Sequence, residues 1–170
     1  MFWRMTKAVL ILPGTALIYI PILIQWFSER WPFGASVGTR LHWAVAAMLA
    51  VPALTLAAIT MKLFVLEGYG TPAPWDPPQR FVVSGPYRYV RNPMLSSVIL
   101  MILAEAVALN SPLLLGWALV FFLLNTVYFI FVEEPGLERR FGEEYLRYKA
   151  AVPRWVPMLQ PYEPPGANGS

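Results

Sequence analysis

Residues 68–93 gather Phe81, Tyr87, Arg88, Tyr89, Arg91 and Asn92 behind a proline-rich run, and two consecutive acids, Glu133 and Glu134, follow a later apolar stretch. An arginine fork matches a carboxylate and an acid matches a cation, so Arg91 with Glu133 can offer one ligand both signs of charge. Tyr87, Tyr89 and Phe81 add flat, electron-rich faces for stacking and cation–π contact. Such a set has the character of a cofactor site, provided the fold brings the acids back to the basic loop.

The elements that must do this are apolar. The chain has 170 residues, 57% hydrophobic and only 14% charged, outside the ordinary range of soluble domains. Four stretches, 8–27, 41–66, 94–109 and 112–132, approach or exceed the ~20 residues that cross a hydrocarbon core. The expected fold is therefore all-α: a polytopic membrane protein with about four transmembrane helices. The first stretch is read as a retained helix, because its apolar run is long and no small-residue cleavage pattern follows it. Pro13, Pro21 and Pro52 fall inside the spans, where neighbouring helices satisfy freed backbone groups, and kinks are expected there.

Orientation follows from Lys and Arg. With the amino terminus inside, Arg4, Lys7, Lys62, Arg80, Arg88, Arg91, Arg139, Arg140, Arg147, Lys149 and Arg154 share the cytoplasmic face, and only Arg30 and Arg40 lie outside. Both termini are thus expected to be cytoplasmic. The net charge of +3 is explained by this topology and by anionic headgroups rather than by nucleic acid. The absence of cysteine and the single histidine, His42, exclude thiolate and multi-histidine metal sites. His42 is expected to be a polar residue at the outer end of the second span.

Asn110, Ser111 and Pro112 form a short turn that makes the third and fourth stretches an antiparallel pair. Counted from that turn at the helical rise, Met94 and Phe129 each lie about 25 Å away, which makes the loop end and the Glu pair neighbours. The same count puts Ser96 and Ser97 near Asn125, where an interhelical hydrogen bond is expected. Glu105 falls nearer the turn, far from the basic loop, and is read as structural. Residues 135–150 read as a cytoplasmic amphipathic helix, with Pro135 in its first turn and an apolar stripe of Leu137, Phe141, Tyr145 and Tyr148. Glu133 and Glu134 also suit the positive end of such a helix, and Arg88 suits an interfacial basic belt. A single domain over 1–160 and a disordered tail over 161–170 complete the expected organisation.

Several segments resemble one family. These are Gly68-Tyr-Gly-Thr-Pro, then Val83-Ser-Gly-Pro-Tyr-Arg-Tyr-Val-Arg-Asn-Pro, the Glu133–Glu134 pair, and Phe141-Gly-Glu-Glu-Tyr-Leu-Arg-Tyr-Lys with a later Val152-Pro. In order and spacing they are similar to the integral-membrane methyltransferases that include isoprenylcysteine carboxyl methyltransferases and phospholipid methyltransferases, above all the bacterial members. That resemblance implies S-adenosylmethionine held between the central loop and the start of the last helix. It implies cofactor contacts from Gln79, Arg80, Phe81 and Val82 on the adenosine side, from Tyr87, and from Arg91, Asn92, Pro93, Glu133 and Glu134. It places Leu95 and Phe129 at the substrate.

Asn92 stands where the eukaryotic members have histidine, Leu95 where a tyrosine is expected, and Ser97 where many members have glycine. At Phe129 the animal prenylcysteine enzymes carry an arginine; an apolar residue there argues against prenylcysteine as substrate. The implied activity is methyl transfer to the carboxylate, amine or thiol of a lipid-like or otherwise hydrophobic molecule, with no metal and no evident general base. The acceptor is expected to enter from the bilayer, with its apolar part between the third and fourth spans. A nicotinamide-dependent membrane reductase of the sterol-reductase type and a catalytically silent scaffold are the competing readings.

Overall fold

A computed structural model describes residues 11–28, 39–69 and 79–164. Arg4, Lys7, Arg30, the loop around Asp76 and the final residues 165–170 lie outside the described residues. Among these residues five helices follow in order: α1 (Ile11–Ser28), α2 (Arg40–Leu66), α3 (Pro93–Ala108), α4 (Pro112–Tyr128) and α5 (Glu134–Ala151), with a short 3-10 turn at Gly85–Arg88. No strand occurs among the described residues. α1, α2 and the run that begins with α4 are long and apolar enough to cross a membrane. The 16 residues of α3 reach about 24 Å at the helical rise, short of a full hydrocarbon core.

Large apolar side chains such as Met48, Leu54, Leu124 and Phe131 face outward, as a lipid-solvated surface requires. Many of the buried residues are small. On α2 the buried positions Ala46, Ala53 and Thr60 recur every seven residues, so they share one face and let α3, the helix that α2 packs against most extensively, approach closely. Val98 and Ile102 of α3 meet Ala16 of α1 and Ala118 of α4 in the central cluster.

Proline shapes two helices in the same way. In α1 the segment Thr15–Tyr19 is a π-helix whose register is closed by Ile20 N–H on Thr15 O. The next bond in that register would come from Pro21, which has no N–H. The carbonyl of Ala16 is taken instead by the indole Nε1 of Trp117 on α4, at 3.0 Å. A second π-helix, Phe129–Glu133, precedes Pro135, with Glu134 N–H on Phe129 O. Here the expected separate start of a new helix is corrected: α4, the π turn and α5 run on as one helix, Pro112–Ala151, because a π turn absorbs the missing donor. α2 likewise continues through Pro52.

The turn between α3 and α4 is closed by the backbone. Asn110 adopts a left-handed conformation, φ 45°. Asn110 N–H bonds Val107 O at 3.1 Å and Ser111 N–H bonds Ala106 O at 2.9 Å, the paired bonds of a Schellman ending. Ser111 then caps α4 through Leu114 N–H. The interhelical bond expected near this hairpin does not form. Ser96 and Ser97 donate to Asn92 O and Met94 O, and Asn125 donates to Phe121 O. In an apolar medium the carbonyl a turn back on the same helix is always within reach. His42 accepts from Thr39 N–H at 3.1 Å and caps the start of α2.

α5 is not the uninterrupted amphipathic helix that its periodicity suggests. Gly142 sits at φ 52°, ψ −131°, a region closed to residues with a Cβ, and the helix bends there. Beyond α5, residues 152–163 return as an extended strap along the loop before α3. Arg91 N–H bonds Pro153 O at 2.9 Å, Met158 N–H bonds Tyr89 O at 3.0 Å, and Tyr162 N–H bonds Arg88 O at 2.8 Å. The start expected for the tail therefore moves: residue 162 is tied down, because its amide and carbonyl both find partners in Arg88. Trp155 of the strap packs its ring on Phe122 of α4 and Phe129 of the π turn.

Candidate functional site

The central loop is pinned at both feet. Gln79 N–H bonds Gly68 O at 2.8 Å and Arg80 N–H reaches the same carbonyl at 3.3 Å, while the Arg80 guanidinium lies over the Tyr69 ring. Ser84 hydrogen-bonds to Glu67. Gly85, at φ 52°, turns the chain where a Cβ would meet Leu63 Cδ1 at 3.1 Å, so glycine is required there both by conformation and by the approach of α2. The 3-10 turn that follows buries Tyr87, whose ring stands edge-on to Phe64.

Between this loop, the inner halves of α1 to α4 and the face of α5 lies a cavity of about 580 Å³, within the size range of cofactor and ligand sites. Its polar lining comes from Arg80, Tyr87, Arg91, Asn92, Glu133 and Arg140. The Nε of Arg91 and the Nδ2 of Asn92 are buried without a hydrogen-bond partner. Glu133 has Tyr128 and Arg140 as its polar neighbours. Its apolar lining includes Met94, Leu95, Val98, Phe121 and Phe129, with the amide of Asn125 among them.

The aromatic wall comes from the stripe on α5. Phe81 packs against Phe141 at 5.2 Å between ring centres, Tyr145 at 5.6 Å and Tyr148 at 5.1 Å, the last two edge-on. Tyr148 Oη donates to Tyr87 O at 2.7 Å, joining α5 to the loop. Burial, reinforced by the neighbouring Tyr148, pushes the Tyr87 phenol well above its ordinary range, and burial does the same to Tyr148. Both stay neutral donors at physiological pH.

Nine of the twelve residues expected at the site line this cavity: Arg80, Phe81, Val82, Tyr87, Arg91, Asn92, Leu95, Phe129 and Glu133. Three do not. Gln79 is an exposed foot of the loop, Pro93 is the buried first residue of α3, and Glu134 turns away from the cavity. The Glu134 side chain is only 3% exposed and is an ion-pair hub: its Oε1 accepts from Arg91 Nη1 and Arg154 Nε, each at 2.8 Å, and its Oε2 meets Lys149 Nζ at 3.1 Å. Burial alone would raise this carboxyl, but hydrogen bonds from Arg154 and Lys149 and the charges of Arg91 and Arg154 hold it below the ordinary value.

The two acids of the pair thus diverge, because successive positions on a helix point about 100° apart. Arg154, Tyr145 and Tyr148 were not singled out as site residues, although the three-and-four spacing of the tyrosines carried the signal. Glu105 lies outside the cavity.

A chain with this cavity between apolar spans can be compared with known proteins. The family model of phospholipid methyltransferase matches residues 42–144, more than half of the chain. The chain belongs to the phospholipid methyltransferase family. Membership makes it a methyltransferase by family, set in a membrane by its apolar helices. The matched span runs from the start of α2 to the second half of α5, and so contains every cavity-lining residue of the loop, of α3 and of the π turn. The chain is also 38% identical, over 63 residues, to an uncharacterised protein of Haemophilus influenzae; that stretch is 37% of this chain and the whole of the relative. No solved structure matches the chain.

The residues present fit the cofactor expected of such a family. The unpaired donors of Arg91 and Asn92 suit a carboxylate, Glu133 suits an ammonium, and Phe81 with Tyr145 offers rings for a nucleoside.

Proposed function

We propose that this family member transfers a methyl group from S-adenosylmethionine to a lipophilic or membrane-partitioned acceptor at the cytoplasmic face of a bacterial inner membrane. The observation that carries the reading is the mixed lining of the cavity. Unpaired donors, a carboxylate and a set of apolar side chains share a single volume. Residues 1–160 act in this reading as one membrane domain with both termini cytoplasmic, as the bias of Lys and Arg favours.

S-adenosylmethionine, when bound, supplies a methyl carbon already activated by a positive sulfur. Arg91 and Asn92 hold the carboxylate of its amino-acid end and Glu133 its ammonium. Phe81, Val82 and Tyr145 flank the adenosine side. Leu95, Val98, Phe121 and Phe129 receive the apolar part of the acceptor and keep water from the reacting atoms, so the protein contributes alignment and dehydration. Tyr87 and Tyr148 hold their protons too tightly to act as bases. A carboxylate or thiolate acceptor needs none, and an amine must arrive deprotonated.

Incubating membranes that contain the protein with methyl-labelled S-adenosylmethionine, followed by identification of the labelled product, tests the reading. A labelled lipophilic product is expected, with labelling reduced about tenfold or more in Arg91→Ala and Glu133→Gln, the scale of a lost charge-assisted hydrogen bond. Unchanged labelling in both variants removes the site assignment.

A further inference from the structure

We propose that Arg154, on the strap after α5, is a positioning residue that acts through Glu134 on Arg91 and so aims the free N–H of Arg91 into the cavity. The inference rests on reading the cavity as a S-adenosylmethionine site. Arginine and a carboxylate ordinarily meet fork to fork, with two parallel N–H···O bonds. Arg91 and Glu134 do not. Arg91 spends only Nη1 on Glu134, at 2.8 Å, and its Nε is left buried and unpaired. The rest of the carboxylate accounts for this. Arg154 Nε shares Oε1 at 2.8 Å and Lys149 Nζ holds Oε2 at 3.1 Å. With both oxygens taken, Arg91 rests on Glu134 through Nη1 alone, and its Nε stays clear of the cluster for a ligand.

The strap is well suited to hold this arrangement. The residue before Arg154 accepts the backbone N–H of Arg91 at 2.9 Å through Pro153 O, so the two arginines are fixed to each other by backbone as well as through the shared oxygen. Glu134 itself is absent from the cavity wall, which leaves Arg91 as the path by which Arg154 reaches the ligand. Without Arg154, Glu134 loses one of the three cations that fix its carboxylate, and Arg91, held to it through Nη1, loses its fixed place at the cavity. Lysine at 154 keeps a cation on Oε1 and should preserve the geometry.

Calorimetric binding of S-adenosylmethionine to the full chain in nanodiscs tests this as a double-mutant cycle. Arg154→Ala is expected to weaken binding about five- to tenfold, the scale of one charge-assisted hydrogen bond, and Arg154→Lys by no more than about twofold. In an Arg91→Ala background the added effect of Arg154→Ala should shrink below about twofold, because the group it positions is gone. A purely structural role would give the same loss in both backgrounds. Equal losses, or wild-type affinity in Arg154→Ala, overturn the inference while the functional reading stands. No binding by the wild-type protein overturns the functional reading and this inference with it. Should Arg154→Ala fail to fold, Arg154→Lys decides: affinity near wild type supports the inference, and a loss as large as that of Arg91→Ala overturns it.

Discussion

The two ends of the α3–α4 hairpin are built on opposite principles. At the Asn110 end the chain closes on itself, through backbone bonds within six residues and a serine cap. At the loop end a short 3-10 turn is local, but the charged contacts are long-range. Arg91 finds its partner in Glu134, Glu134 finds Lys149 and Arg154, and Tyr148 reaches back to Tyr87. A local turn needs no other element to form. A long-range polar cluster specifies which elements must meet, and it leaves donors over for a ligand. The cavity lies at the end held by charges, where the proposed cofactor would meet the donors that the protein leaves unpaired.

If that contrast is right, removing the central charge should cost most. Glu134→Gln leaves Arg91, Lys149 and Arg154 without their shared counter-charge and is expected to destabilise the protein by about 3–5 kcal/mol, the usual penalty for breaking a buried pair. Unfolding followed in detergent would show it; a change under about 1 kcal/mol would mean that the cluster does not hold this end. The same carboxylate sets an acid limit. Because its folded value is depressed, its stabilisation is complete above the ordinary carboxylate value near 4.5 and is lost as pH falls through the lower folded one. The midpoint of unfolding should therefore drop in that acid window for wild type, and this component of the drop should be missing in Glu134→Gln.

Gly85→Ala comes next. It forces a Cβ into a left-handed position and against Leu63, at an expected cost of about 1–2 kcal/mol, measurable in the same unfolding assay. A neutral result would show that the loop can re-form its turn away from α2. The smallest effect belongs to the hairpin end: Ser111→Ala loses one cap bond of 3.4 Å, about 0.5–1 kcal/mol, with no change in S-adenosylmethionine affinity. An altered affinity there would erase the distinction between the two ends.

Much of the fold could be read from the residues, and for a physical reason. Spans reveal themselves by composition, and hairpin direction follows from the length of a turn, so the apolar helices and the return of the acidic pair to the loop were within reach. Which acid of the pair faces the cavity was not, since a π turn before Pro135 sets the rotation of everything after it. The amphipathic stripe of Leu137, Phe141, Tyr145 and Tyr148 announced a buried face without saying against what; it is the wall of the cavity. Arg154 lay beyond reach for another reason. Its role depends on a strap that folds back through backbone bonds, and these leave no pattern in side-chain types.

The central claim, that the cofactor occupies the cavity between the loop and α5, is tested most directly by photo-crosslinking. An azido-adenosine analogue of S-adenosylmethionine, irradiated with the protein in nanodiscs and mapped by mass spectrometry, should label peptides spanning 79–95 and 129–148, with labelling suppressed by unmodified S-adenosylmethionine. Label confined to other segments, or label displaced by reduced nicotinamide dinucleotide and not by S-adenosylmethionine, would contradict the account.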